Sequence, residues 1–235
     1  MLVSPHPARA RLRAMSESRP PVVLSGDAAC PRLRGWLHLV ALVVAVPTAT
    51  LLLAQSHSRA AVASLGVYAV GLVGLYAVSS SYHLVRWSAG WRARMRRLDH
   101  AMIYLFIGAC YGPICLLIIG GWFGVLLLTL GWVTALAGAI TTLSRFAHTR
   151  WAAAGYLVVG WLAVLGFPRV FSRLGATELA LLAAGGLAYT FGSVVLALRR
   201  PDPSPRFFGY HEVWHALVVA GSACHYVLFW RLVTR

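Results

Sequence analysis

Long apolar segments without charges alternate with short polar stretches from residue 36 to the end of the chain. A helix needs about 20 predominantly apolar residues to cross the hydrocarbon core of a bilayer, and a run of this length is therefore a candidate span. The pattern predicts an all-α, polytopic membrane protein. Its seven transmembrane helices are expected over Trp36–Ala54, Ala60–Tyr82, Asp99–Ile119, Phe123–Leu143, Trp151–Phe167, Thr177–Leu198 and Gly209–Trp230.

The stretches between the spans are predicted to be loops, and most of them are basic. Five arginines between residues 86 and 97 mark the loop after the second span, and residues 145–150 form the loop after the fourth. Arg169 and Arg173 are expected in the loop after the fifth span.

The first 34 residues differ from the rest of the chain. They are rich in proline, arginine and serine and contain no apolar run long enough for the core of a signal peptide. Residues 1–34 are therefore predicted to form a disordered basic tail. Residues 35–235 then make up the transmembrane domain.

Composition agrees with a membrane protein. The chain is 59% hydrophobic and 11% charged, whereas about a quarter of the residues of a soluble domain are charged. Its net charge of +15 comes from 21 arginines against six acidic residues. Such an excess of positive charge could bind nucleic acid or the surface of an anionic membrane. Because the arginines lie between apolar segments, we expect a membrane and no nucleic-acid partner.

The distribution of arginines predicts the orientation of the bundle. Seven spans place the two termini on opposite sides, and arginines accumulate on the cytoplasmic side of membrane proteins. Sixteen arginines fall on the side of the N-terminus and five on the other side. The N-terminus is therefore predicted to be cytoplasmic and the C-terminus outside.

This topology gathers ionisable residues at one face of the membrane. His38, His83, Asp99, His211 and His215 all lie near the predicted cytoplasmic ends of their spans. Burying such groups within an apolar segment requires a functional or structural reason.

Metal binding supplies that reason. His211 and His215 are four residues apart, so both imidazoles lie on one face of a helix, one turn apart. With His83 they form a three-histidine set, which leaves zinc one open coordination position and is typical of catalytic sites. Asp99 is a candidate to orient and deprotonate a water activated by zinc at neutral pH. Ser79, one turn before His83, is a candidate to hold the imidazole or the water.

Simpler interpretations exist for individual residues. Asp99 could cap the amino end of the third helix. Glu212 could complement the positive amino end of the seventh helix. Because it faces away from the side shared by its two flanking histidines, it is expected to be solvated or to face lipid headgroups. His225, about 15 Å deeper than His215 at 1.5 Å per residue, is expected to bond a neighbouring helix or to be exposed to the far leaflet.

Four longer motifs stand out in the chain: SSSYH at 79–83, RRLDHAMIYLFIGACYGP at 96–113, GGLAYTFGSVVLALRRPDP at 185–203 and FGYHEVWHALVVAGSACHY at 208–226. Together they resemble the hemolysin III family, bacterial relatives of the progestin and adipoQ receptors within a wider group of membrane hydrolases that includes alkaline ceramidases. The resemblance covers nearly all of residues 35–235. Many family members carry a Glu, Asn and Thr-His pattern entering the first helix, where this chain has PRLRGWLH and keeps only His38.

The resemblance implies a seven-helix bundle in the bacterial cell membrane with a cytoplasmic N-terminus. It also implies zinc on His83, His211 and His215, with Ser79 and Asp99 beside it. The resulting hypothesis is a zinc-dependent hydrolase that cleaves an amide or ester bond of a membrane lipid, with a role in membrane composition.

Two other functions are consistent with the same residues. A non-enzymatic sensor or receptor could use zinc only to hold helices together, and a fourth direct ligand such as His38 or Asp99 would favour it. An intramembrane metalloprotease could use the HEVWH sequence at 211–215, with Glu212 as the general base.

Overall fold

A computed structural model of the protein describes residues 31–144 and 152–235. Most of the predicted tail, residues 1–30, and the predicted basic loop 145–150 lie outside the described residues. Residues 31–34 lead directly into the first helix.

Seven helical spans, each long and apolar enough to cross a membrane, follow one another in the described chain. No β-strand occurs in these ranges, which confirms the predicted all-α membrane fold. The fifth span consists of two short helices joined by a 3₁₀ turn, Leu162–Gly166. The helices are α1 Trp36–Ala54, α2 Arg59–Leu84, α3 Ala89–Pro113, α4 Gly121–Leu143, α5a Ala152–Trp161, α5b Phe167–Arg173, α6 Ala176–Leu198 and α7 Tyr210–Val233.

The helices pack largely as neighbours in sequence. The helix α3 contacts α2 and α4, α6 contacts α7, and α1 closes the bundle by contacting both α2 and α7. The core between them is apolar and aromatic, and Tyr68 of α2 packs edge-on against Phe229 of α7 at 4.9 Å between ring centroids. The α3 span is the most buried of the seven.

Two predicted loops are helical in the structure. The helix α3 begins at Ala89, so the arginines at 92, 94, 96 and 97 lie on its first turns. Arg169 and Arg173 likewise belong to α5b. Arginine has a high helix propensity. A run of arginines can therefore lie where the chain leaves the bilayer while the helix continues through it.

The two arginines of α5b hydrogen-bond backbone carbonyls at the end of the third span. A π-helical turn, Ile114–Ile119, extends α3. Arg173 Nη1 donates to the Ile118 carbonyl at 3.0 Å, and helix ends leave such carbonyls without helical partners. Arg169 Nη1 donates at 3.4 Å to the Gly120 carbonyl, which also accepts the Gly124 N–H. These bonds tie the fifth span to the link between α3 and α4.

That link requires glycine. Gly120 and Gly121 have φ values of 60° and 63°, a region that side chains with a Cβ rarely adopt. The turn reverses the chain within two residues and brings α4 against the π-helical turn.

Close packing at this turn gives a stability prediction. A Cβ on Gly124 would lie 2.3 Å from the Cys115 carbonyl oxygen, so Gly124→Ala should force α4 away from the turn. We expect the free energy of unfolding to fall by about 1–3 kcal/mol, the usual cost of overpacking. Thermal unfolding of the detergent-purified protein measures this change.

Gly66→Ala is the matched control, because a Cβ there would meet no atom within 4 Å. This variant should unfold at or slightly above the temperature of the parent protein, since alanine is the better helix former. Equal unfolding temperatures for the two variants would contradict the close approach of α4.

Candidate metal centre

Three histidines meet at the end of the bundle where α2 finishes and α7 begins. His83 lies in the last turn of α2, and His211 and His215 lie in the first turns of α7. The four-residue spacing places the two α7 imidazoles on one helix face, with ring centroids 4.6 Å apart. The His83 ring lies 4.9 Å from His211 and 5.2 Å from His215.

The ring nitrogens of this cluster converge. His83 Nε2 and His211 Nε2 are 3.2 Å apart, and one nitrogen of each of the three histidines lies within 4.8 Å of the others. His215 Nδ1 is buried without a hydrogen-bond partner. A cluster of three neutral imidazoles with an unpartnered buried nitrogen is a suitable donor set for a transition metal.

The spacing fits zinc. At a zinc–nitrogen distance of about 2.0–2.1 Å, two ligands of a tetrahedral site are about 3.3 Å apart, close to the observed separation of the two Nε2 atoms. One nitrogen of each of the three histidines lies within 4.8 Å of the other two, a spacing that a single ion can bridge. The residues therefore fit a mononuclear zinc site with three imidazole ligands.

His38 lies beside this cluster as a neighbour of His215. It is buried, and its ring stacks on His215 with centroids 3.8 Å apart and an interplanar angle of 17°. The lone pair of an imidazole lies in the ring plane, so two nearly parallel stacked rings do not direct their lone pairs at one ion. His38 therefore supports the His215 ring more readily than it adds a fourth ligand.

Asp99 lies in the interior of α3, ten residues after Ala89, where the helix begins. The interpretation as an amino-terminal cap is therefore wrong. Its side chain is buried and has the Ser79 hydroxyl within hydrogen-bonding reach. His100 Nδ1, which donates to the Arg96 carbonyl, lies 3.7 Å from Asp99 Oδ2.

Glu212 is fully buried, so the expectation that it is solvated or faces headgroups is wrong. Its carboxylate pairs with the Arg34 guanidinium and accepts the backbone N–H of Gly209 at 2.8 Å. The second bond caps the amino end of α7, where the helix dipole favours a negative charge. Both carboxylate oxygens are thereby engaged, away from the histidine cluster.

Sequence reasoning missed Arg34, because nothing local relates it to a glutamate 178 residues later. The segment before α1 lies along the loop that precedes α7, with Arg32 N–H bonded to the Arg206 carbonyl and Leu33 N–H to the Phe207 carbonyl. Gly35 has a φ of 85° and brings this segment against His83. A Cβ on Gly35 would lie 2.7 Å from the His83 Cβ.

A cavity of about 590 Å³ extends from the metal cluster into the bundle. Ser79, Asp99 and His215 line it near the cluster, and His225 lines it deeper in. Its walls are mostly apolar side chains of α3, α5a, α5b, α6 and α7. The cavity therefore joins the candidate site to a dry interior of the size of a ligand pocket.

His225 does not belong to the metal cluster, as its position in the sequence predicted. It is buried between α6 and α7, and neither ring nitrogen has a hydrogen-bond partner. The expectation that it is exposed to the far leaflet is therefore wrong. The Leu182 carbonyl of α6 lies near the ring, and a bond to this neighbouring helix stays a prediction.

Comparisons with known proteins agree with the bundle. The family described as "Haemolysin-III related" matches residues 28–226. The chain is 26% identical to "Hemolysin-3 homolog" of Bacillus subtilis (strain 168) over 207 residues, 82% of this chain and 90% of that protein. It is 28% identical to human "Monocyte to macrophage differentiation factor" over 185 residues, 72% of this chain and 70% of that protein. This chain is an integral membrane protein of the hemolysin III family.

Proposed function

We propose that the protein is a zinc-dependent hydrolase that cleaves an amide or ester bond of a lipid within a bacterial cell membrane. One observation carries the proposal: His215 of the three-histidine cluster and Asp99 line the same apolar cavity. A metal-binding set, a buried carboxylate and an apolar chamber are together the parts that such a reaction requires.

The cavity favours a lipid as substrate. Its volume of about 590 Å³ lies within the usual range of ligand pockets, roughly 300–1,000 Å³. Trp161, Val164 and Leu187 line it and are also 47–52% exposed on the lipid-facing side of the bundle. The chamber therefore opens sideways between the fifth span and α6, where an acyl chain can enter from the bilayer.

Zinc held by His83, His211 and His215 would supply Lewis acidity to a water molecule and to the substrate carbonyl. Asp99 would accept the proton of the attacking water and return it to the departing amine or alcohol. Ser79 holds the carboxylate by hydrogen bonding, and the apolar walls keep other water from the reacting bond. Hydrolysis then yields a free fatty acid and the remainder of the lipid.

The environment of Glu212 argues against a metalloprotease that uses the HEVWH sequence. Its carboxylate is engaged by Arg34 and by the amino end of α7, so it is not free to act as a general base. No acidic residue follows it in the chain to serve as a further ligand.

A purely structural zinc would require a fourth protein ligand. The stacked geometry of His38 on His215 disfavours one such ligand, and Asp99 lies outside the group of convergent donors. An open coordination position suits a hydrolase better than a sensor that uses zinc only to join helices.

Metal content is the first prediction. The detergent-purified protein should contain about one zinc per chain, and the His211→Ala, His215→Ala double variant should contain almost none, because two of three ligands are lost. Zinc removal by a chelator should also lower the unfolding temperature, as loss of any native-state ligand does.

Elemental analysis measures the zinc, with His225→Ala as the matched control because it removes a buried histidine from the same helix outside the cluster. The control should retain full zinc. Full occupancy in the double variant would contradict the site.

Lipid turnover is the second prediction. Zinc-loaded protein in vesicles should release fatty acid from at least one member of a panel of ceramides and glycerolipids. Asp99→Asn should reduce turnover about a hundredfold or more, the usual contribution of general acid–base catalysis, while zinc content stays unchanged. Mass spectrometry of the released acids, expressed per bound zinc, measures the reaction.

Glu212→Gln separates this reaction from a protease. Removing one partner of a buried ion pair costs about 3–5 kcal/mol, so the variant should unfold at a lower temperature. The folded, zinc-bound fraction should nevertheless retain lipid turnover. If neither the zinc-loaded parent protein nor a His83→Ala variant releases fatty acid from any lipid of the panel, the enzymatic proposal is wrong.

A further inference from the structure

Two polar side chains lie together at the part of the cavity furthest along α7 from the metal cluster. His225 follows His215 by ten residues on α7, which corresponds to about 15 Å at 1.5 Å per residue. Tyr189 of α6 packs edge-on against it, with ring centroids 5.4 Å apart. Both residues line the cavity.

Glycines on the two helices make room for these rings. A Cβ on Gly185 of α6 would lie 2.5 Å from His225 Cδ2, and a Cβ on Gly221 of α7 would lie 2.7 Å from Tyr189 Cε1. Each ring therefore occupies a recess that only glycine leaves open on the facing helix. The pair is held in a defined position between α6 and α7.

The Tyr189 hydroxyl and both ring nitrogens of His225 are buried atoms with no hydrogen-bond partner among the described residues. The Ser222 hydroxyl lies within reach of the Tyr189 phenol. It already contacts the Tyr76 hydroxyl and donates to the Val218 carbonyl at 3.0 Å, so it has no hydrogen left to donate. Buried polar groups are almost always hydrogen-bonded, and a histidine inside a membrane span indicates a functional site.

The chemistry of the imidazole identifies the missing partner. A neutral imidazole carries one N–H donor and one acceptor nitrogen. Backbone carbonyls of the surrounding helices, such as that of Leu182 near His225, can satisfy only the donor. The acceptor nitrogen needs an O–H or N–H group, and a hydroxyl can donate to it while accepting from the Tyr189 phenol.

We propose that His225 and Tyr189 form a subsite that hydrogen-bonds a hydroxyl group on the hydrocarbon chain of a lipid in the cavity. This proposal rests on one part of the proposed function, that the cavity holds a lipid chain. It adds that the preferred lipid carries a hydroxyl group on its chain, well away from the amide or ester bond at the metal cluster.

Direct binding of fatty acids tests the subsite without depending on turnover. Octadecanoic acid, its positional hydroxy isomers and the matching keto acids are titrated onto purified protein in nanodiscs. Quenching of tryptophan fluorescence reports binding, because Trp161 and Trp214 line the cavity. One hydroxy isomer should bind about tenfold more tightly than both the unsubstituted and the keto acid, as expected for one additional net hydrogen bond.

The variants His225→Phe and Tyr189→Phe keep an aromatic ring and remove the polar atoms. Each should bind the hydroxy and unsubstituted acids with nearly equal affinity while retaining parental zinc content. Tyr156→Phe is the matched control, because it removes another unpartnered hydroxyl from the same cavity. It should preserve the preference for the same isomer.

The outcomes separate the two proposals. If the acids bind but no hydroxy isomer is preferred, or if the preference survives in both aromatic variants, the subsite is overturned and the lipid cavity stands. If a keto acid binds as tightly as its hydroxy isomer, recognition of a hydroxyl is overturned. If no acid binds, the lipid cavity itself is overturned and the subsite with it.

Discussion

Buried carboxylates paired with arginines at both ends of α7 hold the helix on which the candidate site depends. At the end near the metal cluster, Glu212 pairs with Arg34 from the segment before α1. At the other end, Arg231 donates to Glu178 of α6 at 2.7 Å, and Arg235 contacts the same carboxylate. Charges in an apolar bundle must be paired. Each pair therefore ties α7 to another part of the bundle and limits how it can slide or rotate.

The fixed position of α7 gives the candidate site and the cavity one common wall. His211 and His215 face His83 at the end of α2, while His225 faces α6 about three turns deeper than His215. Because both sites lie on one helix, the separation between the histidine cluster and the polar pair is constant. The lipid proposed above, an elongated apolar molecule with two polar groups, matches this arrangement.

Much of this arrangement is local in sequence. The number and approximate limits of the spans follow from the length of the uncharged segments, and the shared face of His211 and His215 follows from their spacing. The start of α3 at Ala89 was not predictable in this way. Charged residues are costly within the bilayer, but they do not prevent a helix from forming. The arginine-rich turns before Asp99 are therefore helical, although their composition is typical of a loop.

The sequence by itself determined the fold class, the seven spans and the gathering of histidines near one face, because apolar length, helical period and the alternation of spans need no knowledge of packing. Only the tertiary structure decided which helix faces meet. It paired Arg34 with Glu212, stacked His38 on His215 and enclosed His225 with Tyr189. These contacts join residues far apart in the chain, and their partners are set by the rotation and register of whole helices, which no local pattern encodes.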